Sequence, residues 1–196
     1  MIAYIRGELI EKEPTRAVVE AAGVGYELLI PLSTYDKLPR TGSEVKLLAS
    51  HCVREDDEIL FGFATEDEKG LFLKLTSVSG VGPKIAIAIL SGASISELAM
   101  AIAGGDAKRI SAIKGVGKKT AEKICVELRD KVSEFAFAGK ASGDASSPLL
   151  RDALAALRAL GFNEETSAKM VADVLAKNPK VDSVEKVIKL ALGSRG

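Results

Sequence analysis

An eight-residue segment occurs twice in this chain and limits what it can fold into. Ser79-Gly80-Val81-Gly82-Pro83-Lys84-Ile85-Ala86 returns 35 residues later as Lys114-Gly115-Val116-Gly117-Lys118-Lys119-Thr120-Ala121. Each copy clamps an apolar residue between two glycines. Each follows an apolar stretch of helical character (Leu71, Phe72, Leu75 and Val78; Ile110 and Ile113). Each precedes another (Ile85, Ile87, Ile89 and Leu90; Ala121, Ile124, Val126 and Leu128). The pattern predicts helix, tight hairpin, helix, twice over, with each valine packed as a peg against its own two helices.

Glycine tolerates positive φ and lets a foreign group approach the backbone, so such a turn can aim consecutive amide N–H groups outward at the start of the next helix. Those donors and the positive end of the helix dipole favour an anion. Pro83 suits the first helical position, where a backbone donor is not missed. Gly80, Gly82 and Lys84 in the first copy, and Gly115, Gly117, Lys118 and Lys119 in the second, are the candidate phosphate contacts, with either glycine pair supplying positive φ or close approach. For one copy a plain helix-breaking turn explains the glycines equally well. Two copies with basic flanks favour phosphate. Residues 108–123 hold Lys108, Arg109, Lys114, Lys118, Lys119 and Lys123 against the single acid Glu122. Amide contacts to phosphate carry no base information, so such a chain binds nucleic acid by shape and charge.

The formal net charge is zero, yet charge is segregated: residues 1–63 carry 7 basic and 11 acidic side chains, whereas residues 65–138 carry 11 and 9. The first segment reads as β, with candidate strands at 2–6, 17–21, 26–30, 45–53 and 58–63 separated by turn signals. Five short strands in so few residues suggest a small barrel, closed or partly open, for which the OB-fold is the form linked to nucleic acid. The last two strands flank Arg54-Glu55-Asp56-Asp57, which places these charges at a hairpin tip; taken alone, that is most simply a solvated turn. The two cysteines, Cys52 and Cys125, read as buried free thiols, and with the single histidine His51 they build no metal site. No long apolar stretch or signal peptide is visible, which points to a cytoplasmic protein.

Residues 64–138 read as the helical hairpin domain and residues 139–148 as a flexible linker of Gly, Ala, Ser and Asp. Residues 149–196 read as a three-helix module: a stripe of Leu149, Leu150, Ala153, Leu154, Leu157 and Leu160 ends at Gly161, Asn163 caps a second helix carrying Met170, Val171, Val174 and Leu175, and Ser183 caps a third. The fold class is therefore multidomain α+β.

The chain resembles the RuvA family, the bacterial Holliday-junction-binding subunits of the branch-migration machinery. The resemblance rests on Arg6-Gly7 in the opening strand, Gly23-Val24-Gly25-Tyr26-Glu27, Val53-Arg54-Glu55-Asp56 followed by Leu60-Phe61-Gly62-Phe63, both hairpins, and Ala156-Leu157-Arg158-Ala159-Leu160-Gly161-Phe162. It implies a non-catalytic homotetramer, singly or as a pair clasping a four-way junction held open and square-planar. It implies a role in recombination and DNA repair, with the hexameric ATPase RuvB as motor partner and the RuvC resolvase as a further one, and no cofactor. DNA contacts then map onto Gly80, Gly82, Lys84, Gly115, Gly117, Lys118, Lys119, Lys123 and Arg54, and an acidic pin onto Glu55 and Asp56. A motor-binding surface maps onto Leu154, Leu157, Leu160, Phe162 and Met170. Two other classes compete. A helix-hairpin-helix glycosylase needs a base pocket that a first domain without aromatic richness and a chain without Trp do not offer. A generic adaptor would use the Leu160-Gly161-Phe162 turn, which is similar to that of ubiquitin-associated domains. No G-x-x-x-x-G-K-[ST] loop is present, so a motor would be another chain.

Overall fold

A computed structural model describes residues 1–53, 57–135, 148–178, 181 and 183–193. The chain divides into two compact units, Met1–Gly139 and Lys140–Gly196.

The first unit opens with β1 (Tyr4–Glu13), β2 (Arg16–Ala21), β3 (Val24–Leu29), β4 (Glu44–Val53) and β5 (Glu58–Phe63). They form a closed barrel in the order β1-β2-β3-β5-β4, antiparallel except for the β3–β5 pair at Leu29 and Phe61. β1 pairs with β4 through its first half and with β2 through its second, and the register shifts between Leu9 and Glu11, a bulge that turns one strand along two neighbours. This strand runs well past the expected residues 2–6. The reason is local: the bulge breaks the alternation that marks a strand in sequence. Leu9, Val19, Leu28, Ile30 and Leu47 are fully buried inside the barrel. On its exterior Arg16 binds Glu11, Glu13 and Glu27, which neutralises part of the acidic surplus of this region.

A short helix, α1 (Leu32–Lys37), sits between β3 and β4 and was not foreseen from sequence. The helical part follows with α2 (Glu66–Ser77), α3 (Pro83–Gly92), α4 (Ile95–Ala103), α5 (Ala107–Ser111) and α6 (Lys118–Leu128), then two 3-10 turns, Arg129–Lys131 and Ser133–Phe135. Thr65-x-x-Glu68 and Ser94-x-x-Glu97 are complete capping boxes that start α2 and α4. Phe61 and Phe63 from β5 stack on Phe72 of α2, with ring centroids 5.2 and 4.9 Å apart. The helical core therefore begins on the barrel's last strand, and the two parts share one unit.

The second unit packs α7 (Pro148–Ala159), α8 (Glu164–Lys177) and α9 (Val184–Gly193) around Ala153, Leu157, Val171, Val174, Val187 and Ala191. Asn163 caps α8 as expected, its side chain accepting the Thr166 amide at 2.8 Å, and the Ser183 hydroxyl accepts the Lys186 amide at the start of α9. Among the described residues no single helix is long and apolar enough to cross a membrane. The architecture is mixed α+β: an OB-like barrel, a helical hairpin region and a C-terminal three-helix unit.

Candidate nucleic-acid interface

The two hairpins have the same backbone. Gly80 and Gly115 adopt φ of 92° and 90°, a left-handed conformation that L side chains resist. Gly82 and Gly117 are the N-caps of α3 and α6, with φ, ψ of −79°, 165° and −75°, 156°. The positive φ thus belongs to the first glycine of each pair. The second has ordinary extended backbone, so its proposed role narrows from positive φ or close approach to close approach alone. A Cβ built on Gly82 or Gly117 meets no atom within 4 Å, so nothing inside the protein demands glycine there. Val81 and Val116 are buried, 4% and 6% exposed, and peg each hairpin to the helical core.

The caps differ from those of α2, α4, α5 and α8. Thr65, Ser94, Asp106 and Asn163 each bond a side chain into the first turn of α2, α4, α5 and α8, whereas Gly82 and Gly117 carry no side-chain cap. The first intrahelical bonds are Ala86 N–H to the Gly82 carbonyl at 3.0 Å and Ala121 N–H to the Gly117 carbonyl at 2.9 Å. The amides of Lys84 and Ile85 at α3, and of Lys118, Lys119 and Thr120 at α6, precede those bonds and so lie outside the helical ladder. Pro83 has no N–H, so α3 offers one amide fewer. These amides, with the positive helix end, can bind an oxyanion such as a phosphate.

Lys84, Lys114, Lys118 and Lys119 are exposed around these ends. Two other cations of the region are engaged within the protein. Arg109 pairs with Glu97 at 2.8 Å, so the basic stretch is not opposed by Glu122 alone; the Ser94 hydrogen bonds and this guanidinium hold the Glu97 carboxyl below the usual range. Lys123 donates from α6 to the Ser79 carbonyl at 3.2 Å, tying the second hairpin's helix to the entrance of the first. Val126, read as part of an apolar stripe, stands 80% exposed.

A cleft of about 290 Å³ lies between the β4–β5 strand pair and the start of α3, lined by Cys52, Asp57, Ile59, Phe61 and residues 82–85. The β4–β5 strand pair, which flanks the acidic residues in sequence, therefore stands beside the first hairpin. Arg54, Glu55 and Asp56 lie outside the described residues. Cys52, expected to be buried, is half-buried on the cleft wall; Cys125 is buried, and burial pushes its thiol up. In the second unit Leu157 is fully buried in the core, while Leu154, Phe162 and Met170 pack partly against it. Leu160 is 57% exposed and is the one of the five expected motor-contact residues that stands on the surface.

The geometry has a counterpart in known sequences. The model of the RuvA N-terminal domain matches residues 1–62, that of a SAM-like helix-hairpin-helix tandem residues 72–130, and that of the RuvA C-terminal domain residues 148–194. The chain is 45% identical over 195 residues to a protein of Chlorobaculum tepidum, covering 98% of this chain and 96% of the relative. It is 46% identical over 94% of both chains to one of Prosthecochloris aestuarii, and 47% identical to one of Nitrosomonas eutropha over 83% and 84%. The chain belongs to the RuvA family. These three relatives are each named Holliday junction branch migration complex subunit RuvA. The tandem match falls on the two hairpins, and the two RuvA matches fall on the barrel and on the three-helix unit.

Proposed function

We propose that this chain is a non-catalytic subunit that binds four-way DNA junctions, holds them open and square-planar, and recruits a RuvB-type ATPase for branch migration in recombination and repair. The observation that carries this reading is the pair of glycine-capped helix starts with matched geometry and lysines around them, on a chain of the RuvA family. Four copies would present eight such ends to four arms. Residues 1–63 serve as the barrel and 64–138 as the hairpin domain; the expected linker 139–148 loses Pro148 to the start of α7, its other residues lie outside the described residues, and 148–196 serve as the motor-binding domain, with Leu160 at its contact surface. Arg54, between β4 and β5 in sequence, would add a phosphate contact. Glu55 and Asp56 would act as an acidic pin, since carboxylates gathered at a junction centre repel the strands there while the hairpins hold the arms.

Gel-shift titration of four-way junctions of unrelated sequence against linear duplex, at several salt concentrations, tests the reading. Junction preference independent of sequence, with affinity falling steeply as salt rises, is the expected result. Equal affinity for junction and duplex would remove the junction role.

A further inference from the structure

One buried carboxylate has no part in DNA contact. Glu68, in the first turn of α2, is 0% exposed, and its neighbour Thr34 on α1 is likewise fully buried. Glu68 Oε2 accepts the Thr34 hydroxyl at 2.8 Å, the Ala64 amide at 2.9 Å and the Thr65 amide at 3.2 Å, while Oε1 accepts Lys37 Nζ at 3.0 Å. Thr34 and Lys37 belong to α1, which the barrel carries between β3 and β4; Glu68 belongs to the helix that leads into the first hairpin. α1 reaches the other side of that hairpin too, because the Leu32 amide donates to Ser91 Oγ on α3 at 3.0 Å.

Apolar packing of Phe61 and Phe63 on Phe72 already joins the barrel to α2, and that packing is non-directional. A buried ion is costly to desolvate and is often replaceable by apolar residues without loss of stability. Hydrogen bonds add what packing lacks, a fixed angle. We propose that Thr34 and Lys37 are positioning residues which, through Glu68, set the orientation of the α2–α3 hairpin on the barrel, and thereby the protein's preference for branched over linear DNA. The inference rests on the junction-binding reading. A linear duplex needs the hairpins only to reach phosphates. A junction needs them at fixed angles to the barrel and its β4–β5 strand pair.

The test compares Thr34→Val, which keeps the β-branched shape and leaves the Ala64 amide bonded to Glu68, with Thr34→Ser, which restores the hydroxyl. Lys37→Met, at a half-exposed side chain, serves as the second variant should Thr34→Val fail to fold. Full-length proteins are titrated with a synthetic four-way junction and with linear duplex at one salt concentration, and thermal unfolding confirms that each is folded. The expected result is a loss of about tenfold in junction affinity for Thr34→Val and for Lys37→Met, the scale of one charge-assisted hydrogen bond, with duplex affinity unchanged and Thr34→Ser like the parent. A folded variant with the parent's junction-to-duplex ratio, or one that loses both affinities equally, overturns the inference and leaves the junction reading standing. A parent without junction preference overturns the reading itself.

Discussion

The two hairpins share a backbone and differ in their surroundings. The first lies between two long helices, is entered by the twelve-residue α2 fastened to the barrel through Glu68, and has Lys84 with a proline at the first helical position. The second follows a helix of only five residues and is set among Lys114, Lys118 and Lys119. One turn is held by architecture and the other is enriched in charge. The same backbone geometry is thus reached where the chain is anchored to a second fold and where it is not, which ties the proposed binding property to the glycine turn itself.

The strongest way to break this comparison is at the glycines. Gly82→Ala and Gly117→Ala place a methyl group where nothing in the protein touches it, so unfolding temperature should stay near the parent's while junction affinity falls by about tenfold to a hundredfold. Gly80→Ala and Gly115→Ala should show the reverse emphasis, a stability loss of about 1 kcal/mol each from the positive φ, equal at the two sites. Parallel thermal melts and gel shifts decide it. Normal binding by folded Gly82→Ala and Gly117→Ala would reduce both hairpins to structural turns.

A second test separates the anchored hairpin from the charged one. Burial pushes the Glu68 carboxyl up, but the bonds from Lys37 and Thr34 outweigh it and hold it below its ordinary value of 4.5. The folded state therefore prefers the ionised form, and the resulting stability is complete above the ordinary value and drains away as pH falls through the lowered one. Glu68→Gln should cost about 2 kcal/mol at neutral pH, with the gap to the parent narrowing as the solution is acidified. Hydrogen exchange should quicken at α3 amides and not at those of α6. A gap independent of pH would show that the network acts through shape alone.

The smallest effect is electrostatic. Lys118→Gln with Lys119→Gln should lower the slope of log affinity against log salt by about 2, and Lys84→Gln by about 1. Equal slopes in all three proteins would mean that the lysines are solvated and only the amides bind.

The contrast also shows what a linear reading can reach. The hairpins, the valine pegs, the five strands and the Asn163 and Ser183 caps were legible because each is written within a few adjacent residues. α1 was not, since six residues after a proline carry no helical period. The Glu68 network was not legible, because Thr34 lies 34 residues from Glu68 and only the closed barrel brings the two together. Arg109 was counted as part of a basic surface because Glu97, 12 residues earlier, joins it only through the packing of α4 on α5. Sequence likewise leaves open which glycine of a pair carries the positive φ, since both lack a side chain.

The donors at α3 and α6 are peptide N–H groups, and every residue type except proline supplies one. A point mutation at Lys84, Ile85, Lys118, Lys119 or Thr120 therefore alters the local charge or bulk and leaves the donor itself in place. Few codons can silence such an interface: those that put a side chain on Gly82 or Gly117, or a proline further along the first turn. On the proposed reading, the surface between these points is left open to drift, so salt tolerance and affinity can change while the amide donors stay in place.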